Sequence, residues 1–290
     1  SLVWRSAYQA HLKLGNAHDE ENQREKQARL REQAYLSRVP AAMRWGSWTN
    51  LKADDALKHL KEEVFPKFKD IAAEGSSFAE YMQNAECKIN KPSLLIETCK
   101  FIDQMQISQQ NQDVQGDLYE YLLGHLNTAG RNGQFRTPRH IVRMMVQMID
   151  PQPGERIGDL AAGTGGFLVN AYQYMLEKHT SPAILAYDDE GWPHNLVGDQ
   201  VTDEQRLALQ GDTIRGYDND SGMTMLRIGS MNLMLHGIES PHFFYRDTLA
   251  KSFDEQRSYD VILMNPPFKG AVDADDVNPA LPRNVKKTEL

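Results

Sequence analysis

The chain has 290 residues, 40% hydrophobic and 25% charged, the balance of a globular protein and not of a disordered or fibrous one. With 32 Lys and Arg against 40 Asp and Glu, its net charge of −8 argues against a chain that grips DNA unaided, and no apolar run approaches the ~20 residues that cross a bilayer. Two cysteines, Cys87 and Cys99, make neither a disulfide framework nor a metal site, and the cytoplasm is the expected compartment.

The first part of the chain reads as helical. Residues 19–36 are rich in Glu, Gln, Arg and Lys, end before Pro40, and are expected to be a solvated helix. Trp45 and Trp48 flank Gly46 and are expected core anchors. Leu57, Leu60, Val64, Phe68 and Ile71 recur at helical spacing, with a break near Pro66. Ser77 and Glu80 are spaced as a capping box. Pro92 opens a helix carrying Leu95, Cys99 and Ile102, which makes Cys99 a buried thiol. Leu118, Tyr121, Leu122 and Leu126 mark a further amphipathic helix. The pattern predicts an all-α N-terminal domain over 1–126, then a Gly/Asn-rich linker over 127–133.

From residue 134 the pattern changes to strands alternating with helices. Helices are predicted over 140–149, 166–177 and 221–236, the last ended by Gly237. Strands are predicted over 156–160, 212–217, 242–245 and 259–264. Such alternation implies a parallel sheet with helices on both faces. Residues 180–208 are a polar insertion, and Asp188, Asp189 and Glu190 within it are expected to be a solvated loop and not a metal site.

The predicted strands end in residues suited to chemistry. Asp159 is followed by Leu160, Ala161, Ala162, Gly163, Thr164, Gly165 and Gly166, small residues that let the backbone approach a ligand closely. The third glycine of a dinucleotide fingerprint would fall at Leu168, so a pyrophosphate cofactor is disfavoured, and Asp159 suits a cationic ligand instead. Asp218, at the end of the second major strand, can accept both hydroxyls of a ribose. Its alternative role is a helix cap, which Asp220 fits better. Asp247 has two readings, an acceptor for an adenine amino group or the cap of a turn. The last strand runs into Asn265, Pro266, Pro267 and Phe268. The Asn265 side-chain oxygen and the Pro266 carbonyl are two acceptors for an exocyclic amine, the prolines stiffen the backbone, and Phe268 offers a stacking face. The plain alternative is a strand-ending turn.

As an ordered set these segments resemble the modification subunits of type I restriction-modification systems, the DNA N6-adenine methyltransferases. Residues 113–121, the run from Gly133 to Arg139, the glycine turn, Asp218 with residues 227–237, and the tetrapeptide at 265 carry the resemblance. It implies a Rossmann-like, S-adenosylmethionine-dependent α/β methyltransferase domain over 134–290. It also implies further strands beyond Asn265, so the sequence is expected to be part of a longer protein with an incomplete sheet. By resemblance Gln134, Phe135, Thr137, Pro138 and Arg139 would line the methionine end of the cofactor, although Thr137 and Pro138 also read as N-cap and first residue of a helix. The residue after Asp159, often Pro in the family, is Leu160 here. The implied reaction flips an adenine out of DNA and needs no metal. The implied partners are DNA, a specificity subunit and a cleavage subunit, with no membrane. Rival readings are methylation of cytosine N4 or of a protein glutamine, and the segment before the sheet speaks against the glutamine enzyme. A non-catalytic scaffold is the remaining rival, against which Asp218 and Asn265 speak.

Overall fold

The computed structural model describes residues 39–67, 77–82, 85–106, 112–128, 137–211, 213–238, 240–255, 257–266, 276–279 and 281. The charged helix expected at 19–36 lies outside them, as do Phe68 and Ile71. Among the described residues the chain begins with the helices α1 (Trp45–Trp48), α2 (Ala53–His59), α3 (Ser77–Met82), α4 (Pro92–Met105) and α5 (Gln112–Thr128). The chain forms two compact units, one of residues 1–71 and 83–109, the other of residues 72–82 and 110–290. This division differs from a single break at 127–133. Helices α3 and α5 cluster with the sheet, a preference that an amphipathic pattern alone does not encode.

The first unit is built around Met43, Trp48, Ala56, Leu57, Leu60, Val64, Leu95 and Cys99. Trp45 meets Trp48 edge to face at 5.1 Å, and its indole N–H donates to Asp103 at 2.6 Å. Pro66 lacks an N–H and its ring crowds the carbonyl one turn back, so α2 loosens into a π turn at Leu60–Val64 and then a tight turn at Phe65–Lys67. Pro92 stands at the first position of α4, and burial pushes the Cys99 thiol up.

In the second unit α6 (Arg139–Ile149) leads into β1 (Ile157–Asp159) and α7 (Gly166–Lys178). The polar insertion folds as a hairpin, β2 (Ala186–Tyr187) and β3 (Pro193–His194), followed by α8 (Asp203–Gln210). The Asp188 carboxylate accepts the amides of Glu190 and Trp192 and pairs with His194, so it closes the hairpin. Among the described residues no group of His, Cys, Asp and Glu could hold a metal. Then come β4 (Ile214–Asp218), α9 (Thr224–Leu235), β5 (His242–Tyr245) and β6 (Val261–Ile262). The four long-range strands are all parallel, in the order β5-β4-β1-β6. Gly237, at φ 107°, ends α9 as expected, with its amide on Met234 and the Ile238 amide on Leu233.

One face of the sheet packs under α7 and α9, where Ile157, Leu168, Val169, Leu226, Leu233 and Phe243 form the core. On the opposite face Tyr217 packs against Phe244, Phe253 and Tyr259, so over β4 and β5 a loop fills the place expected of a helix. Edge strand β5 is covered by α3. The Tyr81 hydroxyl donates to the Phe243 carbonyl at 2.6 Å and accepts the Tyr245 amide at 3.2 Å, taking the place of a neighbouring strand. Among the described residues no helix is long and apolar enough to cross a membrane.

Phe243 is fully buried, and two glycines, Gly216 and Gly229, make room for its ring, with Gly165 alongside at ordinary contact distance. A Cβ would lie 2.7 Å from it at Gly216, 2.5 Å at Gly229 and 3.5 Å at Gly165. Gly229→Ala therefore sets two effects against each other. Alanine favours the helix by about 1 kcal/mol. Its methyl group must displace a ring that Gly216 already confines, a cost of about 1–3 kcal/mol. The overpacking should win, and denaturant unfolding should show a lower midpoint for Gly229→Ala. A raised midpoint would mean that the ring relocates freely.

Candidate functional site

Because all four strands are parallel, their carboxyl ends share one edge. From β1 the order runs through β4 to β5 on one side and to β6 on the other. The crevice between β1 and β6 is thus a topological switch point, where open α/β sheets bind ligands. Asp159 ends β1, Asp218 ends β4, and Asn265 follows β6.

The turn after β1 is shaped by its glycines. Gly163 and Gly165 take φ of 53° and 75°, a left-handed conformation that a side chain would disfavour. The Ala162 amide donates to the Tyr217 carbonyl at 2.8 Å, and the Gly165 amide to the Ala162 carbonyl at 2.7 Å. The Gly163 amide donates to Asp218 Oδ2 at 3.0 Å, while Asp218 Oδ1 accepts the Asp220 amide at 2.9 Å. Asp220 Oδ2 takes the Thr224 and Met225 amides, so Asp220 and not Asp218 caps α9. Each Asp218 oxygen keeps a second lone pair for a ligand. Gly166 opens α7, and its carbonyl accepts the Asn170 side-chain amide.

Asp159 is 1% exposed. Its Oδ1 accepts the half-buried Ala161 amide at 3.1 Å, but among the described residues its Oδ2 has no hydrogen-bond partner. Burial, with the nearby Asp218 carboxylate adding to it, pushes the Asp159 carboxyl up to about 7. Burial likewise raises Asp218, against the two amides that favour its charged form. An unpartnered carboxyl oxygen beside a second carboxylate is an unfinished site, and a cation would complete it.

Asn265 is held from the other end of the unit. Its Nδ2 donates to Thr137 Oγ1 at 3.0 Å, and among the described residues no protein group takes its Oδ1. The hydroxyl of Thr137 is therefore not a helix cap, and α6 starts one residue later than a Pro138 first position would require. Pro138 and Pro266 are exposed at this edge. Arg139, expected beside the cofactor, pairs with Asp117 of α5 at 2.7 Å and lies 4.2 Å over the Trp192 ring. Arg143 covers the same ring at 5.0 Å and pairs with Glu177. These two arginines clamp the β2–β3 hairpin to α6. Asp247 is exposed, and its Oδ1 accepts the Leu249 amide at 2.9 Å, the geometry of a turn cap. Gln134, Phe135, Pro267 and Phe268 lie outside the described residues.

Asn232 and Glu120, to which the sequence pattern gives no individual role, meet at this turn. Asn232 Nδ2 donates to the Thr164 carbonyl of the glycine turn at 2.9 Å and also to the Glu120 carboxylate. The available signal was a lone amide between Met231 and Leu233, in the apolar second half of the helix.

Comparison with known proteins places this geometry. Residues 110–286, more than half of the chain, match the family described as N-6 DNA Methylase. The methylase subunit of the type I restriction enzyme EcoEI from Escherichia coli is 30% identical over 280 residues, covering 91% of this chain and 52% of that protein. A solved structure concerned with complex assembly and conformational transition of the type I R-M system matches with a TM-score of 0.59 at 27% identity, over 86% of this chain and 48% of that one. A type I restriction-modification methyltransferase subunit from Streptococcus thermophilus shares the fold, with a TM-score of 0.56 at 20% identity over 92% of this chain and 51% of that one. The chain thus spans about half the length of the relatives it matches. With a parallel sheet, a glycine turn between two acids and a tethered asparagine at the switch point, the chain belongs to the N-6 DNA methylase family.

Proposed function

We propose that this chain is the catalytic portion of a type I modification subunit, which methylates N6 of adenine in DNA with S-adenosylmethionine as donor. The observation that carries the reading is Asn265, held by Thr137 after β6, the strand that neighbours the one ending at Asp159. The family match favours adenine over cytosine N4 and protein glutamine.

The residues fit the donor. Asp159 has an unpartnered buried oxygen for its cationic methionine end, and Asp218 has lone pairs for the ribose hydroxyls. The glycine turn offers backbone without side-chain bulk. When bound, S-adenosylmethionine supplies an electrophilic methyl group. The chain's own contribution is positioning and charge stabilisation. Thr137 holds the Asn265 amide so that Oδ1, and not Nδ2, meets the adenine amine. With the Pro266 carbonyl it accepts the N6 protons and keeps the nitrogen lone pair turned towards the donor. Adenine must leave the duplex to reach this edge, and Phe268 is the residue proposed to stack on it. A chain of net charge −8 needs help with phosphates and base reading. A specificity subunit is the proposed source, with a cleavage subunit as further partner.

Asp218→Ala in the full-length protein should weaken S-adenosylmethionine binding by about 1–3 kcal/mol, as buried hydroxyls lose their acceptor. Calorimetry measures this directly, and unchanged affinity would reduce Asp218 to a tie for the glycine turn. Asn265→Ala should abolish labelled-methyl transfer to DNA yet leave donor affinity nearly intact. Transfer at the wild-type rate would remove Asn265 from the mechanism. A third expectation concerns pH. With its carboxyl raised to about 7, the folded protein holds a proton on Asp159 that the unfolded chain has lost above the usual carboxylate range. Stability from this group is therefore full in acid and falls as pH rises towards about 7. A cationic donor favours the ionised form, so binding should release a proton and tighten as pH rises through about 7. Calorimetry in buffers of different ionisation enthalpy reads that proton. The slope should vanish in Asp159→Asn, and an equal slope in that variant would assign the proton elsewhere.

A further inference from the structure

The glycine turn is controlled from outside the sheet. The peptide joining Thr164 to Gly165 is held on both sides, its carbonyl by Asn232 Nδ2 at 2.9 Å and its N–H by the Ala162 carbonyl at 2.7 Å. The residues flanking Thr164, Gly163 and Gly165, have left-handed φ values, so the turn has glycine freedom wherever it is not tied. Asn232 is fully buried, and its second amide hydrogen goes to the Glu120 carboxylate. That second bond sets the rotation of the amide, and so aims the first hydrogen at Thr164. Glu120 belongs to α5, which runs antiparallel to α9 along this contact. One turn earlier Gly116 lies so close to the His236 ring that a Cβ there would be 2.4 Å from it. Tyr119 reaches the Ile228 carbonyl at 3.4 Å. The seating of α5 is thus transmitted through one carboxylate and one amide to the peptide beside Asp218's own tie.

We infer that Glu120 and Asn232 are positioning residues for the methyl-donor site, holding the 163–165 turn in its binding shape so that the seating of α5 sets donor affinity. This rests on the S-adenosylmethionine reading above. A buried amide and acid could serve packing alone, and the two roles separate in the measurements. Glu120→Ala, in the full-length protein with its partner subunits, should weaken donor binding about tenfold, the effect of one lost hydrogen bond. The Michaelis constant for the donor should rise by the same factor, while kcat at saturating donor stays near wild type, because Asn265 and Thr137 are untouched. Glu120→Gln keeps an acceptor for Asn232 and should restore affinity. Asn232→Leu, similar in volume but without donors, should reproduce the Glu120→Ala loss. Calorimetry is run on protein whose folded fraction is set by thermal melting, so a folding defect does not count as weak binding. Wild-type affinity in folded Glu120→Ala or Asn232→Leu would overturn the inference, as would a Glu120→Gln variant no better than Glu120→Ala. A wild-type protein without affinity for S-adenosylmethionine would instead overturn the donor reading, and this inference with it.

Discussion

The architecture depends on how closely α9 lies on the sheet. That distance is set by a single ring, Phe243, and by the side chains missing at Gly216 and Gly229. A Cβ on Gly229 would also come within 3.1 Å of the Gly163 carbonyl, so the same absence that seats the ring lets α9 touch the glycine turn. Only at that separation does the short Asn232 side chain span from helix to turn. Core packing and the shape of the binding turn are therefore one constraint. Cores transmit such displacements because they are close-packed.

Electrostatics runs against stability at the same place. Asp159 and Asp218 lie at the ends of adjacent strands, both raised by burial, with an unmet oxygen on Asp159. A hydrophobic pair there would cost the fold less. Strain of this kind persists at functional sites because a ligand relieves it. Asn265 is the contrasting case. Its amide is tied at no cost in buried charge, and among the described residues what remains open is a neutral acceptor. The acids suit a cation and the amide suits an amine, and the crevice between β1 and β6 separates the two chemistries.

Much of this was legible in the residues. Period and punctuation located β5 at its observed bounds, and α6, α7 and α9 to within a few residues, because Gly237 and the glycine turn mark their ends. The caps sorted correctly between Asp218 and Asp220, since only one acid stands where two amides of α9 converge. Less legible was anything decided by long-range partners. The Thr137 hydroxyl reads as a helix cap in isolation, and only the fold brings Asn265 within 3.0 Å of it. The resemblance sets Arg139 beside the cofactor, and only the fold brings Asp117 and Trp192 to its guanidinium. The hairpin within 180–208 was hidden by its polar composition, because its strands bury little apolar surface.

The helix at Ser77–Met82 has a consequence for modularity. Its residues interrupt the first compact unit, so the chain passes between units after residues 71, 82 and 109. Three crossings mean that no single cut yields both halves intact. A chain begun at residue 134 would keep every strand of the sheet, yet it would bare the β5 edge that Tyr81 occupies and leave the Asn232 amide without Glu120. The two units are therefore left intact only by cuts outside this interleaved stretch.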